Sequence, residues 1–232
     1  MSRREPIIAI DGPVGAGKSV AARELARALG FAYLNTGAMY RAVAIAAREA
    51  GVNPDDANVE VRLAPVLEKI KIKFDGEKMF LNGRDMSAKL SEPEIGDLAS
   101  RFSAIASVRA RMRDLQRAAG ADGGVVMEGR DIGTVIFPDA EFKFFLVADM
   151  KTRARRRFEE LKKKGAMISE HEVLEQLMER DRRDSGRELA PLKRADDATE
   201  IDSTDLSVAA VVAAMKGKIN ARINAAKDLK RA

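Results

Sequence analysis

Residues 12–19 read Gly12-Pro13-Val14-Gly15-Ala16-Gly17-Lys18-Ser19, and they stand between a short apolar run at 6–10 and a helical pattern over about 18–29. Few features constrain a chain more. An apolar run of that length reads as a buried strand, and a buried strand that enters a glycine-rich turn and then a helix opens a βα unit. The segment matches G-x-x-x-x-G-K-[ST] in full and in the strand–turn–helix setting the pattern requires. Small residues let successive backbone N–H groups curl around phosphate oxygens, and the positive end of the helix dipole points at the same oxygens. Lys18 adds a movable charge for the outer phosphates, and the Ser19 hydroxyl is a ligand type that suits Mg²⁺. A turn that binds nothing is the bland alternative, and it leaves both the pattern and its setting unexplained. Residues from Gly12 to Val20 are therefore the expected cradle of a nucleoside triphosphate, which by itself does not name a reaction.

The rest of the 232 residues reads as α/β, with short apolar runs alternating with helical patterns in the manner of a parallel sheet. Core strands are expected at 6–10, 32–34, 124–127, 142–147 and 198–202. Helices are expected at about 18–29, stopped by Gly30, and from Thr36 as cap to about 50, stopped by Gly51. Others are expected at 59–67, within 92–119, and at 151–165, 169–184 and 207–224. The middle departs from this rhythm. Residues 69–74 and 77–81 alternate charged and apolar side chains around Asp75-Gly76. That is a strong hairpin signal, and an antiparallel hairpin inside a βα alternation marks an insert. The expected architecture is a five-stranded parallel sheet flanked by helices, with a small antiparallel insert and a short lid.

Composition removes whole classes of chemistry. There is no cysteine, so disulfides, thiolate nucleophiles and cysteine-bound metals are excluded. The single histidine, His171, lies between Glu170 and Glu172 in a polar helical pattern and is expected to be exposed. The longest apolar run, 208–215, is far below the ~18–20 residues of a spanning helix. The opening Met1-Ser2-Arg3-Arg4-Glu5 and the short run after it do not form a signal-peptide core. A soluble cytoplasmic protein is expected, with a monomer as the default. Lys and Arg exceed Asp and Glu by 41 to 36, which suits anionic small molecules but is too small an excess to argue for nucleic acid.

Arginines near turns and acids carry the remaining signal. Arg41 follows Thr36-Gly37-Ala38-Met39-Tyr40, and Arg130-Asp131 follows Glu128-Gly129 just past a core strand. A strand end is where α/β sheets bind ligands. Arg180 and Asp184 are spaced to share a helix face. The basic run 151–164 has three readings: a solvated face, a nucleic-acid patch, or a mobile lid that carries Arg153 and Arg157 onto phosphates. A phosphate acceptor has a second pKa near ~6 and is largely ionised at neutral pH. Such a nucleophile needs charge neutralisation and alignment rather than a general base. A chain rich in arginine and poor in histidine, built on a phosphate loop, therefore suits phosphoryl transfer onto a phosphate.

At these residues the chain resembles the bacterial cytidylate kinases, or (d)CMP kinases, within the P-loop nucleoside monophosphate kinases. The resemblance spans nearly the whole chain. It rests on Ile10-Asp11-Gly12-Pro13 with the loop, and on Thr36-Gly37-Ala38-Met39-Tyr40-Arg41. It rests further on the block from Glu128-Gly129-Arg130-Asp131 to Pro138-Asp139-Ala140, and on Arg180-Asp181-Arg182-Arg183-Asp184 leading to Ala190-Pro191-Leu192. The resemblance implies transfer of the γ-phosphoryl group of ATP, with Mg²⁺, to CMP or dCMP. It implies a core over about 1–58, 92–150 and 188–232, an acceptor-binding insert over 59–91 and a lid over 151–187. By similarity Ser100, Arg109 and Asp131 read the cytosine edge, and Arg41, Arg130 and Arg187 hold the acceptor phosphate. Arg180 and Asp184 approach the sugar, Thr36 lines the same pocket, and Arg153 and Arg157 serve the lid. Lys18, Arg41, Arg130, Arg153 and Arg157 are the catalytic set, Gly12 to Val20 the donor set, and Ser19 the metal ligand. Two positions depart from the pattern: Val20 stands where relatives often carry Thr, and Asn35 where they often carry Asp. Two rivals remain, a related P-loop kinase for UMP or a small metabolite, and an RNA-binding protein using 151–164. Only Phe158 within that run could stack on a base.

Overall fold

The computed structural model describes residues 5–76 and 78–229. Residues 1–4, Glu77 and 230–232 lie outside the described residues, and with them the start of the chain, the first residue of the second alternating run and the end of the basic stretch 227–231, which the sequence marks only as a solvated helix end. The chain divides into two units, one made of residues 1–34, 120–186 and 190–232, the other of residues 35–119 and 187–189.

In the first unit, the apolar run near the N-terminus forms β1 (Ile7–Asp11), buried along its whole length. Burial on both faces demands that β1 be central, and it is. It pairs in parallel with β6 (Val125–Gly129) on one side and β7 (Phe142–Val147) on the other. β8 (Thr199–Asp202) pairs in parallel outside β7, and β2 (Ala32–Asn35) lies outside β6. The order β2-β6-β1-β7-β8 has five strands, as the five apolar runs predict. Ala21, Ala22, Leu25 and Ala26 of α1 (Lys18–Leu29) and Val211, Met215 and Ile219 of α8 (Val208–Leu229) close over Ile8, Ile10, Phe144 and Leu146. The alanines of α1 present little bulk to the sheet. A separate small core joins α6 (Met150–Lys163) to α7 (Glu170–Gly186) through Ala154, Leu161, Val173 and Leu177. No described helix is long and apolar enough to cross a membrane.

The second unit begins with α2 (Thr36–Glu49) and α3 (Val59–Lys69). The expected hairpin follows as β3 (Ile72–Asp75) and β4 (Lys78–Leu81), antiparallel with Asp75 opposite Lys78. A third strand, β5 (Arg84–Asp85), was not foreseen, because two residues leave no alternation to read. Asp85 steadies it by accepting from the Ser87 hydroxyl, which itself accepts the Met79 N–H. The helical pattern over 92–119 resolves into α4 (Pro93–Phe102) and α5 (Ala106–Ala119). Pro93 sits at the first turn, where its missing N–H costs nothing. The break falls at Ser103, whose hydroxyl donates back to the Ser100 carbonyl at 2.7 Å and so competes with the helical ladder. Thr36 is not the cap of α2. Asn35 is: its side-chain oxygen accepts the Ala38 N–H at 3.0 Å, and Thr36 becomes the first, buried helical residue.

Where β1 enters the phosphate loop the chain passes tight beneath β7. Gly12 has φ 144°, and a Cβ there would lie 2.0 Å from the Leu146 carbonyl oxygen. Backbone cannot step aside as a flexible side chain can. The Gly12→Ala variant is expected to lose about 3 kcal/mol or more of stability, and thermal or denaturant unfolding of the two proteins checks it.

Candidate active site

The phosphate loop leaves the carboxyl end of the central strand and delivers the chain into α1. Gly17 caps that helix in a left-handed conformation without any side-chain bond, and the first turn contains no acid. The positive helix end therefore meets no internal counter-charge, which is the local condition for anion binding. Lys18 is only 5% exposed, and its ammonium donates to the Pro13 carbonyl at 2.7 Å. Burial pushes its pKa down to about 7; the Arg130 charge pushes the same way, against Glu128 and Asp11.

Asp11, the last residue of β1, ties this loop to the segment after β6. Its two carboxylate oxygens accept the N–H groups of Ile132 at 2.9 Å and Gly133 at 2.8 Å. Those N–H groups open a turn of π-helix, Ile132–Ile136, which sequence reading did not anticipate. The clamp holds the stretch that directly follows Arg130 and Asp131. Burial raises the Asp11 pKa to about 6, with nearby Asp131 adding to the effect against the two backbone bonds and Lys18. Beside it Glu128, buried at the end of β6, accepts the Tyr33 hydroxyl at 2.7 Å, and Arg23 lies over the Tyr33 ring.

The arginines of this unit are balanced by acids that face them. Arg130 Nε donates to Asp184 at 2.9 Å, and Arg180 approaches the same carboxylate at 3.9 Å across one turn of α7. Arg153 of α6 is turned inward. It donates to Asp181 at 2.6 Å, to the Val14 carbonyl of the phosphate loop at 3.3 Å and to Ala148 at 3.1 Å. A Cβ at Gly15 would lie 3.0 Å from both the Cβ and the carbonyl oxygen of Arg153, so the bare glycine is what lets the loop pack against the backbone of α6. Arg157, one turn on, pairs with Glu160 at 2.7 Å. Arg156 binds the Ser203 carbonyl at 2.7 Å, and Ser203 Oγ lies 3.0 Å from the Ala16 carbonyl. The basic run thus divides by residue: Arg153 and Arg156 face inward, while Arg155 lies on the surface against Glu159.

In the other unit, Thr36 and Arg41 lie on α2, Ser100 on α4 and Arg109 on α5. The Arg109 guanidinium sits 5.8 Å from the Tyr40 ring centroid and donates to the Ser103 carbonyl at 3.2 Å. Arg187 donates to the Ser103 hydroxyl at 3.0 Å. Ser100 Oγ is buried and has no hydrogen-bond partner among the described residues.

Of the residues singled out from sequence, Lys18, Ser19, Arg130, Asp131, Arg153, Arg157, Arg180 and Asp184 belong to the first unit, and Thr36, Arg41, Ser100, Arg109 and Arg187 to the second. Val20 is half exposed on α1, and His171 is exposed beside Glu175, as expected. Sequence reading gave no role to Asp11, Tyr33, Ser103, Glu128 or Asp181, although Asp11, Glu128 and Asp181 stand in the segments that carry the resemblance. For Asp11 and Glu128 a signal existed, since each is an acid that ends an otherwise apolar buried strand. For the other three there was none.

Cationic groups gathered at a loop that cradles phosphate, with acids turned inward onto the arginines, are the arrangement of a P-loop kinase. The family model for cytidylate kinase matches residues 8–221. A cytidylate kinase of Citrifermentans bemidjiense is 47% identical over 221 residues, covering 94% of both chains. One from Caldanaerobacter subterraneus is 48% identical over 205 residues, covering 88% of this chain and 90% of that one. One from Thermotoga neapolitana is 44% identical over 218 residues, covering 94% and 98%. The chain belongs to the cytidylate kinase family, and it is a nucleoside monophosphate kinase.

The raised pKa of Asp11 has a thermodynamic consequence. Between the unfolded value of 3.8 and the folded value of about 6 the native state binds the extra proton. Its contribution is full below the unfolded pKa and is lost as pH rises through the folded one. Relative to Asp11→Asn, the wild type is expected to lose up to ~3 kcal/mol of stability between pH 4 and pH 6.5, read from denaturant unfolding at the two pH values.

Proposed function

We propose that the chain carries out its family's reaction with ATP as donor: the γ-phosphoryl group passes to CMP or dCMP, giving ADP and CDP or dCDP. The observation that carries the reading is the acid-free head of α1, which no side chain caps, with buried Lys18 folded against the loop. A triphosphate there would receive the loop N–H groups and draw the Lys18 ammonium away from Pro13.

The donor set suits a cation that arrives with the nucleotide. Ser19 offers one hydroxyl, and among the described residues no three His, Cys, Asp or Glu side chains converge. Mg²⁺ would then be held by Ser19, phosphate oxygens and water, the way this ion is usually bound in kinases. When bound it supplies charge neutralisation on the donor phosphates.

We assign the acceptor phosphate to Arg41, Arg130 and Arg187, the cytosine edge to Ser100, Arg109 and Asp131, and the sugar to Arg180 and Asp184, with Thr36 lining the pocket. A carboxylate suits the cytosine amino group, and guanidinium forks suit phosphate. Residues 151–187 act as a lid, 59–91 as the acceptor-side insert. Arg153 exchanges Asp181 for a phosphate oxygen, and Arg157 exchanges Glu160. With the acceptor already anionic, the chain's task is to align and neutralise. The proposed setting is the cytoplasm.

A panel of CMP, dCMP, UMP and AMP with a coupled ADP assay tests the acceptor. CMP and dCMP are expected to lead; UMP turned over better than either would shift the reading to the related kinase. For Asp131→Ala, kcat/KM for CMP is expected to fall about 10–100-fold while KM for ATP stays near its wild-type value. Equal losses for both substrates would remove Asp131 from the base.

A further inference from the structure

We infer that Ser103 is a positioning residue for the acceptor nucleotide, holding Arg187 and Arg109 in the orientation in which they meet it. The inference rests on the assignment of those two arginines to CMP made above. Ser103 is 5% exposed and lies at the break between α4 and α5. Besides the helical bond from its N–H to the Ala99 carbonyl, it makes three polar contacts. The hydroxyl donates to the Ser100 carbonyl at 2.7 Å, accepts from Arg187 Nη1 at 3.0 Å, and the Ser103 carbonyl accepts from Arg109 Nη1 at 3.2 Å.

A serine hydroxyl has one proton to give and two lone pairs to offer. Once the proton is committed to Ser100, the lone pairs have a fixed direction, and one of them meets Arg187. The bond is charge-assisted and partly buried, with Ser103 itself inside, which makes it stronger than a neutral bond at the surface. Arg187 begins the three-residue stretch 187–189 that groups with this unit, while the helix before it, α7, belongs to the other. Arg109 also lies over the Tyr40 ring, 5.8 Å from its centroid. The Ser103 side chain therefore acts chiefly through Arg187, and its main chain through Arg109.

The test measures steady-state kinetics for Ser103→Ala, Arg187→Ala and the double variant, with KM taken separately for CMP and ATP. Ser103→Ala is expected to raise KM for CMP about tenfold, with KM for ATP within twofold and kcat reduced by less than KM rises. In the double variant, Ser103→Ala is expected to add less than twofold to the effect of Arg187→Ala. If Arg187→Ala raises KM for CMP and Ser103→Ala does not, the inference falls and the site assignment stands. If Arg187→Ala leaves KM for CMP unchanged, the assignment of Arg187 falls and takes the inference with it. Parallel rises in both KM values would mean general damage to the fold and would also overturn it. Should Ser103→Ala fail to fold, Ser103→Cys, near in size but a poor acceptor, is read against the same outcomes.

Discussion

Everything at the head of the sheet depends on one buried carboxylate. Asp11 ends the central strand, and its two oxygens hold the first two N–H groups of the segment after β6. It extends the β1–β6 pairing, which ends with Asp11 opposite Gly129, by a side-chain clamp that holds the chain after Arg130 and Asp131 against the end of β1. The bond pattern also explains why the π-helical turn is tolerated. Two N–H groups that an irregular segment would leave orphaned in a dry environment are both satisfied.

The same economy governs the cations. Lys18, Arg130, Arg153 and Arg180 share one unit, and like charges in a buried region repel. Lys18 is partly relieved by burial, which favours its neutral form. The arginines cannot lose their protons, so each is met by an acid: Asp184 for Arg130 and Arg180, Asp181 for Arg153. Removing one partner of such a pair would strand the other. Asp181 and Asp184 thus have a resting task that is distinct from anything they do with a nucleotide.

Legibility from the sequence followed the range of the interactions. The loop, the five strands and the Asp75-Gly76 hairpin are written in local pattern, and local pattern was enough to find them. Asn35 was misread because two good cap residues, Asn35 and Thr36, stand side by side, and only the backbone geometry decides between them. The 92–119 pattern concealed a break because Ser103 bends the chain through a bond to its own preceding turn, while the apolar periodicity continues on both sides. Asp181 could not be told from its neighbours in Arg180-Asp181-Arg182-Arg183-Asp184, since its meaning comes from Arg153, 28 positions earlier. Arg130 was marked by its place just past a strand. The acid that meets it, Asp184, lies 54 positions away, and no spacing rule reaches that far.

The wall that Gly12 faces is a carbonyl oxygen, not the side chain of Leu146. A crowded side chain invites a partner substitution that makes room, and lineages drift through such paired changes. Here no choice of amino acid at 146 can clear the space, because every residue brings the same oxygen. Selection for suppressors of a damaged position 12 would have to move β7 itself, so descendants of this chain are left with glycine there whatever side chain position 146 carries.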